Sequence, residues 1–154
     1  TLIEYAAFFG SIKIFQFLKM NQIELTESLW LFAIHSNNAM LIHLLEENQV
    51  RPQDETFEEC FIESIKCHHN NISNYIENNL LFQNVDNNKL KEKIISCSFQ
   101  YSNYVYFPYE LDKYFAFFYL IRYNYSTLVN LYLKIKEKSI ETITIKTNIF
   151  FNQV

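Results

Sequence analysis

The segment at residues 6–18 (AAFFGSIKIFQFL) recurs at residues 33–45 (AIHSNNAMLIHLL), a shift of 27 positions from Ala6 to Ala33. Each segment begins with a small residue and ends with apolar residues at helical spacing. Repetition at a fixed period of this size is produced by a small supersecondary unit that stacks on copies of itself. The recurrence therefore predicts an all-α fold, a solenoid of helix-turn-helix repeats.

The same register continues past the second copy. Ser64 takes the position of Ala6 at a shift of 58, and Leu120 takes it at a shift of 114. We therefore expect a single repeat domain over residues 1–154. Its predicted parts are repeats at 1–25, 26–52, 55–81 and 110–138, a degenerate unit or insertion at 82–109, and an extended tail at 139–154. Apolar residues alternate along 142–146, which is also compatible with a short strand or with the start of a further element.

The turn between the two helices of each unit has a restricted set of residues. In this register it is occupied by Gly10, Asn37, His68 and Asn124. Glycine adopts positive φ without strain, and Asn and His are enriched in the left-handed region. The pattern predicts one recurring left-handed turn.

Helix starts are predicted from capping residues. Thr56 and Glu59 have the spacing of a capping box, in which the two side chains satisfy free N–H groups at the first turn. Further caps are expected at Ser11, at Thr26 or Ser28, and at Asn38.

Composition favours helices and excludes several functions. The chain has one Gly and two Pro, too few turn residues for a many-stranded barrel or sandwich. A net charge of −4 without a basic stripe argues against nucleic acid as a partner. The longest uncharged stretch, 28–45, contains two His and two Asn, so we expect no membrane helix. Three cysteines without framework spacing favour a reducing, cytoplasmic setting.

The spacing Ala6-Ala7-x-x-Gly10-x-x-x-Ile14-Phe15-x-x-Leu18 resembles the ankyrin repeat. The Asn, Ile, Tyr and Phe bias is similar to that of divergent ankyrin arrays in some protists. The resemblance implies non-catalytic protein–protein recognition, with partners met at the end of each first helix. Matched position by position, the implied contact residues are Phe8, Phe9, His35, Ser36, Lys66, Cys67, Arg122 and Tyr123.

A structural role is the alternative to partner binding. In that interpretation the chain is a spacer or capping segment of a longer array, and Phe8 and Phe9 pack under a preceding repeat. The chain begins at Thr1, inside the first repeat, so we expect neighbouring repeats in a longer protein.

Two clusters contain side chains that could support chemistry. Cys60, Cys67, His68 and His69 have metal-binding side chains, but their spacing differs from that of paired zinc ligands. Glu55, Glu59 and Glu63 recur every four residues, which predicts a solvated acidic helix face rather than a catalytic pair. We expect no metal, no cofactor and no enzymatic activity.

Overall fold

The computed structural model describes residues 1–81, 87–107 and 113–136. Every regular element in these ranges is helical, which confirms the predicted all-α class. The chain divides into two compact units, Thr1–Phe107 and Pro108–Val154. The predicted tail at 139–154 lies outside the described residues, as do residues 82–86 and 108–112.

The first unit begins with three helical hairpins. The helices described in this unit are α1 (Leu2–Phe8), α2 (Ile12–Met20), α3 (Leu29–His35), α4 (Ala39–Glu47), α5 (Glu58–Lys66), α6 (Asn70–Asn79), α7 (Asn87–Tyr101) and a 3-10 helix (Tyr104–Tyr106). The second unit contains α8 (Lys113–Arg122) and α9 (residues 126–136). Among the described helices, none has the length and apolar character needed to cross a bilayer.

The first helix of each hairpin packs against the first helix of the next. Contacts join α1 to α3, α3 to α5, and α5 to α7, while α2, α4 and α6 each contact the helix that precedes them. Small side chains make the close packing possible, because Ala6, Ala33 and Ser64 occupy the same register position and are all buried. Ser98 of α7 is buried at a fourth equivalent position. Its neighbour Phe99 is buried as well.

The predicted left-handed turn is confirmed at all four positions. The φ angles are 65° at Gly10, 52° at Asn37, 58° at His68 and 59° at Asn124. Ser102, which the sequence pattern did not include, is a fifth member with a φ of 58°. In each turn the N–H of this residue donates to the carbonyl three positions earlier, at 3.0 to 3.4 Å, which satisfies an otherwise free helix-end carbonyl.

The segment expected to be degenerate keeps half of the repeating unit. The long helix α7 ends at the Ser102 turn as the other first helices end at theirs. A three-residue 3-10 helix, Tyr104–Tyr106, then stands where the earlier units have a second α-helix. Residues 87–107 therefore keep the first helix and the turn of the repeating unit and replace its second α-helix by one short helical turn.

The residue after three of the left-handed turns forms a hydrogen bond to the preceding hairpin. These side chains donate to backbone carbonyls in three pairs: Asn38 Nδ2 to Gly10 at 3.3 Å, His69 Nδ1 to Ile34 at 2.7 Å, and Asn103 Nδ2 to Ile65 at 2.8 Å. Consecutive hairpins are therefore joined by directional polar contacts in addition to apolar packing.

The predicted caps are only partly correct. The Asn38 side chain accepts a hydrogen bond from the Met40 N–H at 3.0 Å, as expected. Ser11 and Ser28 precede their helices but make no side-chain cap. The hydroxyls of Thr26 and Ser28 lie 2.9 Å apart and bond to each other instead.

The predicted capping box at α5 does not form, although the Thr56 hydroxyl accepts a hydrogen bond from the Glu58 N–H at 3.3 Å. The cap residue is Phe57, which has a φ of 63°, and the Glu59 N–H donates to the Asp54 carboxylate at 3.0 Å rather than to Thr56. The buried Phe57 ring meets the Trp30 ring edge to face, with 4.9 Å between centroids. Because an aromatic pair of this kind stabilises the core, tertiary packing offsets the cost of a left-handed Phe.

Candidate functional site

The first three hairpins end their first helices at equivalent residues. Phe8, His35 and Lys66 are the last residues of α1, α3 and α5, because the left-handed turn stops each helix at the same register position. Phe9, Ser36 and Cys67 follow directly as C-cap residues. The structure therefore brings six of the eight predicted contact residues to the same end of neighbouring helices.

Aromatic contacts connect the first two helix ends. The Phe9 ring meets the Phe8 ring edge to face at 5.2 Å, and the Phe8 ring lies 5.6 Å from the His35 imidazole. The exposed fractions are 41% for Phe8 and 72% for Phe9. Both rings are thus available on the surface of this chain.

Polar contacts connect the second and third helix ends. His35 Nε2 lies 3.2 Å from Glu63 Oε1, and His35 Nδ1 lies 3.4 Å from Cys67 Sγ. The other carboxylate oxygen of Glu63 accepts a hydrogen bond from Lys66 Nζ at 2.9 Å. That hydrogen bond raises the pKa of Lys66, so the ammonium group stays charged.

The contacts extend to the end of α7. Lys66 Nζ lies 6.0 Å from the centroid of the Tyr101 ring, and Tyr101 is exposed. We call the continuous set of contacting side chains the helix-end ledge. Its members are Phe8, Phe9, His35, Glu63, Lys66, Cys67 and Tyr101.

Two members of the ledge were missed by the sequence analysis. Tyr101 directly precedes the left-handed Ser102, so a register that included Ser102 would have placed it. Glu63 was assigned to an acidic helix face with Glu55 and Glu59, which is wrong because Glu55 lies before the start of α5. The Glu63 carboxylate faces His35 of the preceding hairpin instead.

Three of the predicted contact residues take no part in the helix-end ledge. Ser36 is half-buried, and its hydroxyl donates to the Ala33 carbonyl at 2.7 Å, which satisfies the end of α3. Arg122 and Tyr123 belong to the second compact unit. There the Arg122 guanidinium lies 5.9 Å from the Phe118 ring centroid and 5.8 Å from that of Tyr123.

The metal-binding side chains of Cys60, Cys67, His68 and His69 do not converge on one point. Cys60 is buried, and burial raises the pKa of its thiol far above the usual range. His68 Nε2 donates to the Tyr101 carbonyl at 2.7 Å, while His69 binds the carbonyl of the preceding hairpin. Cys67 instead joins His35 and Glu63, with donor atoms all within 4.8 Å of one another.

A thiol, an imidazole and a carboxylate in this order resemble a nucleophilic arrangement. Activation of a cysteine requires a lowered pKa, so that the thiolate is populated. Burial, and secondarily the charge of Glu63, raise the pKa of Cys67. The electrostatics of the ledge therefore keep this thiol protonated, which disfavours covalent catalysis by Cys67.

A shallow apolar cleft adjoins the aromatic end of the ledge. It has a volume of about 330 Å³ and is lined by Thr1, Glu4, Tyr5, Phe8, Phe9 and Phe32. Three of its six lining residues are phenylalanines, which present apolar surface around a few polar atoms. Such a cleft suits one bulky apolar side chain.

No protein-family model matches the chain, and no curated protein or solved structure is significantly similar to it.

Proposed function

We propose that this chain is a non-catalytic protein-interaction module, built as an ankyrin-like solenoid of divergent helix-turn-helix repeats. The proposal is supported by the recurring left-handed turns and by the row of contacts from α1 through α3 and α5 to α7. Stacked helix pairs present one extended surface made from equivalent positions of successive repeats. The helix-end ledge is the surface of that kind in the first unit.

The single observation that carries the proposal is the continuity of the ledge. Its side chains contact one another from Phe9 at the end of α1 to Tyr101 at the end of α7. Exposed aromatic side chains that are already held by neighbours lose little conformational freedom on binding. The ledge therefore offers anchors at a small entropic cost.

The two halves of the ledge differ in chemistry. Phe8 and Phe9 form an apolar half beside the cleft, whereas His35, Glu63 and Lys66 form a polar half. A complementary partner segment presents a bulky apolar side chain to the first half and hydrogen-bonding groups to the second. We propose a protein partner with this distribution.

The experiment selects peptides from a displayed random library against the chain and compares their affinities for variants. The double variant Phe8→Ala/Phe9→Ala should bind the selected peptides at least about 10-fold more weakly, because anchor truncations cost more than about 1 kcal/mol. Phe17→Ala/Met20→Ala is the control, since it removes large exposed apolar side chains from α2. Selection of no binders, or equal losses in both variants, would contradict the proposal.

A structural spacer or cap is the second candidate. The observation that favours it is the exposure of large apolar side chains on α1 and α2, among them Leu2, Tyr5, Phe17 and Met20. Another repeat stacked on the first hairpin would bury such side chains. In this case Phe17→Ala/Met20→Ala should lower the stability of a longer protein that carries a preceding repeat, although it leaves the ledge intact.

A further inference from the structure

We propose that His35, Glu63 and Cys67 form a zinc-binding site on the helix-end ledge. They are the one group of three or more His, Cys, Asp or Glu residues within the described residues whose donor atoms could share an ion. They provide one nitrogen, one oxygen and one sulfur donor from two neighbouring hairpins. The proposal does not depend on whether the ledge binds a protein.

The spacing of the donors is close to that required by a tetrahedral ion. Zinc bonds of about 2.0–2.3 Å to N, O and S place two ligands of one ion about 3.4–3.6 Å apart. One imidazole nitrogen of His35, one carboxylate oxygen of Glu63 and Sγ of Cys67 all lie within 4.8 Å of one another. Glu63 and Cys67 contact different nitrogens of the imidazole, so the ring must turn until one nitrogen faces both of them. Side-chain rotations that shorten the separations by about 1 Å then give the spacing of three ligands on one ion.

The backbone holds the ligands in place before an ion binds. Glu63 and Cys67 are four residues apart, so their side chains project from the same side of the end of α5. His35 ends α3, which packs against α5. An ion at this position therefore links two consecutive first helices.

Neighbouring side chains orient the ligands. Lys66 binds Glu63 Oε2, which leaves Oε1 directed towards His35. The Phe8 ring lies against the imidazole at 5.6 Å and limits its rotation. Such outer contacts are what fix ligand orientation in metal sites.

The chemistry of the donor set selects zinc over the common alternatives. Magnesium and calcium require oxygen ligands, and this group supplies only one carboxylate. Zinc accepts imidazole, carboxylate and thiolate together, and a coordinating thiol is deprotonated by the ion itself. Three protein ligands leave a fourth position for water or for a donor from another molecule.

The test is calorimetric titration of the full chain with zinc chloride under reducing, chelator-free conditions. We expect one zinc ion per chain. Cys67→Ser, His35→Gln and Glu63→Gln should each weaken binding at least about 10- to 100-fold, the range seen when even outer contacts of metal sites are removed. The control is His43→Gln, which should leave zinc binding unchanged. His43 also lies 3.2 Å from a carboxylate oxygen, that of Glu46, but outside the proposed site.

Cobalt substitution gives a second readout. The wild-type chain with cobalt(II) should show a thiolate-to-metal charge-transfer band that Cys67→Ser abolishes and His43→Gln retains. Circular dichroism establishes whether each variant is folded. If His35→Gln does not fold, the nearly isosteric Cys67→Ser decides whether the site binds zinc. Absence of saturable zinc binding to the wild type overturns the proposal. Wild-type affinity in folded Cys67→Ser overturns it equally.

Discussion

Asn103 joins the end of α7 to the third hairpin, and its replacement tests how consecutive repeats are held together within the first compact unit. The side chain is 1% exposed. Its Nδ2 donates to the Ile65 carbonyl at 2.8 Å and to Asn70 Oδ1 at 2.9 Å. Asn103→Ala removes both hydrogen bonds to the third hairpin without changing any large apolar contact.

The expected cost of Asn103→Ala follows from these two bonds. Each contributes about 1 kcal/mol net, and a buried acceptor left without any donor costs about 1–3 kcal/mol. The Ile65 carbonyl retains the His68 N–H at 3.2 Å, so the larger penalty does not apply to it. We therefore expect the free energy of unfolding to fall by about 2 kcal/mol, which lowers the melting temperature by about 8–16 °C for a domain of this size.

The assay is urea unfolding and thermal melting followed by circular dichroism. Asn78→Ala is the matched control, because the Asn78 side chain is exposed and donates only to the Asn74 carbonyl within its own helix, at 2.7 Å. It should cost less than about 0.5 kcal/mol. Equal losses of stability in the two variants would refute the reasoning that Asn103 joins the end of α7 to the third hairpin.

Three further substitutions have defined outcomes. Leu45 is 0% exposed, so Leu45→Ala should lower the free energy of unfolding by about 2–5 kcal/mol, and Leu45→Asp should abolish the cooperative melt. Gly10→Ala should cost about 1–2 kcal/mol in urea unfolding, because φ at this turn is +65°. The Tyr75 hydroxyl donates to Glu46 at 2.8 Å, and burial followed by that bond raises the pKa of Tyr75 above 10.0. A raised folded-state pKa stabilises below pH 10, so the stability advantage of wild type over Tyr75→Phe should be lost as the pH rises through 10 and above.

The helix ends could be predicted because their determinants are local. A left-handed residue stops a helix wherever it falls, and Gly, Asn and His mark such positions in the sequence. Ser102 escaped because serine carries no comparable preference, although its backbone adopts the same φ. Five of the ledge residues followed from these ends. Tyr101 was missed together with its turn, and Glu63 was missed because it lies within α5 and not at its end.

The ends of the second helices carry a second local signal. Asn recurs at the end of the second helices, and each side chain donates to the carbonyl four residues earlier. The donors are Asn21, Asn48 and Asn79. Because this bond lies within one helix, the positions of Asn in the repeat could have predicted it.

Other features depend on packing between distant residues. The left-handed Phe57 has no signal in its residue type, and its conformation is compensated by contact with Trp30. The group of His35, Glu63 and Cys67 spans two hairpins, so it forms only when α3 and α5 pack at one relative position. Repeat register places His35 near Cys67, but it does not determine which side chains meet.

The continuity of the ledge is tested most directly by nuclear Overhauser effects in the isotope-labelled chain. Ring protons of Phe8 and His35 should show cross-peaks, since their centroids lie 5.6 Å apart. Protons of His35 and the β-protons of Cys67 should show them as well, since Nδ1 and Sγ are separated by 3.4 Å. Both sets of cross-peaks are predicted for the folded chain. A folded chain that lacks both would contradict the account, because its helix ends would not form one surface.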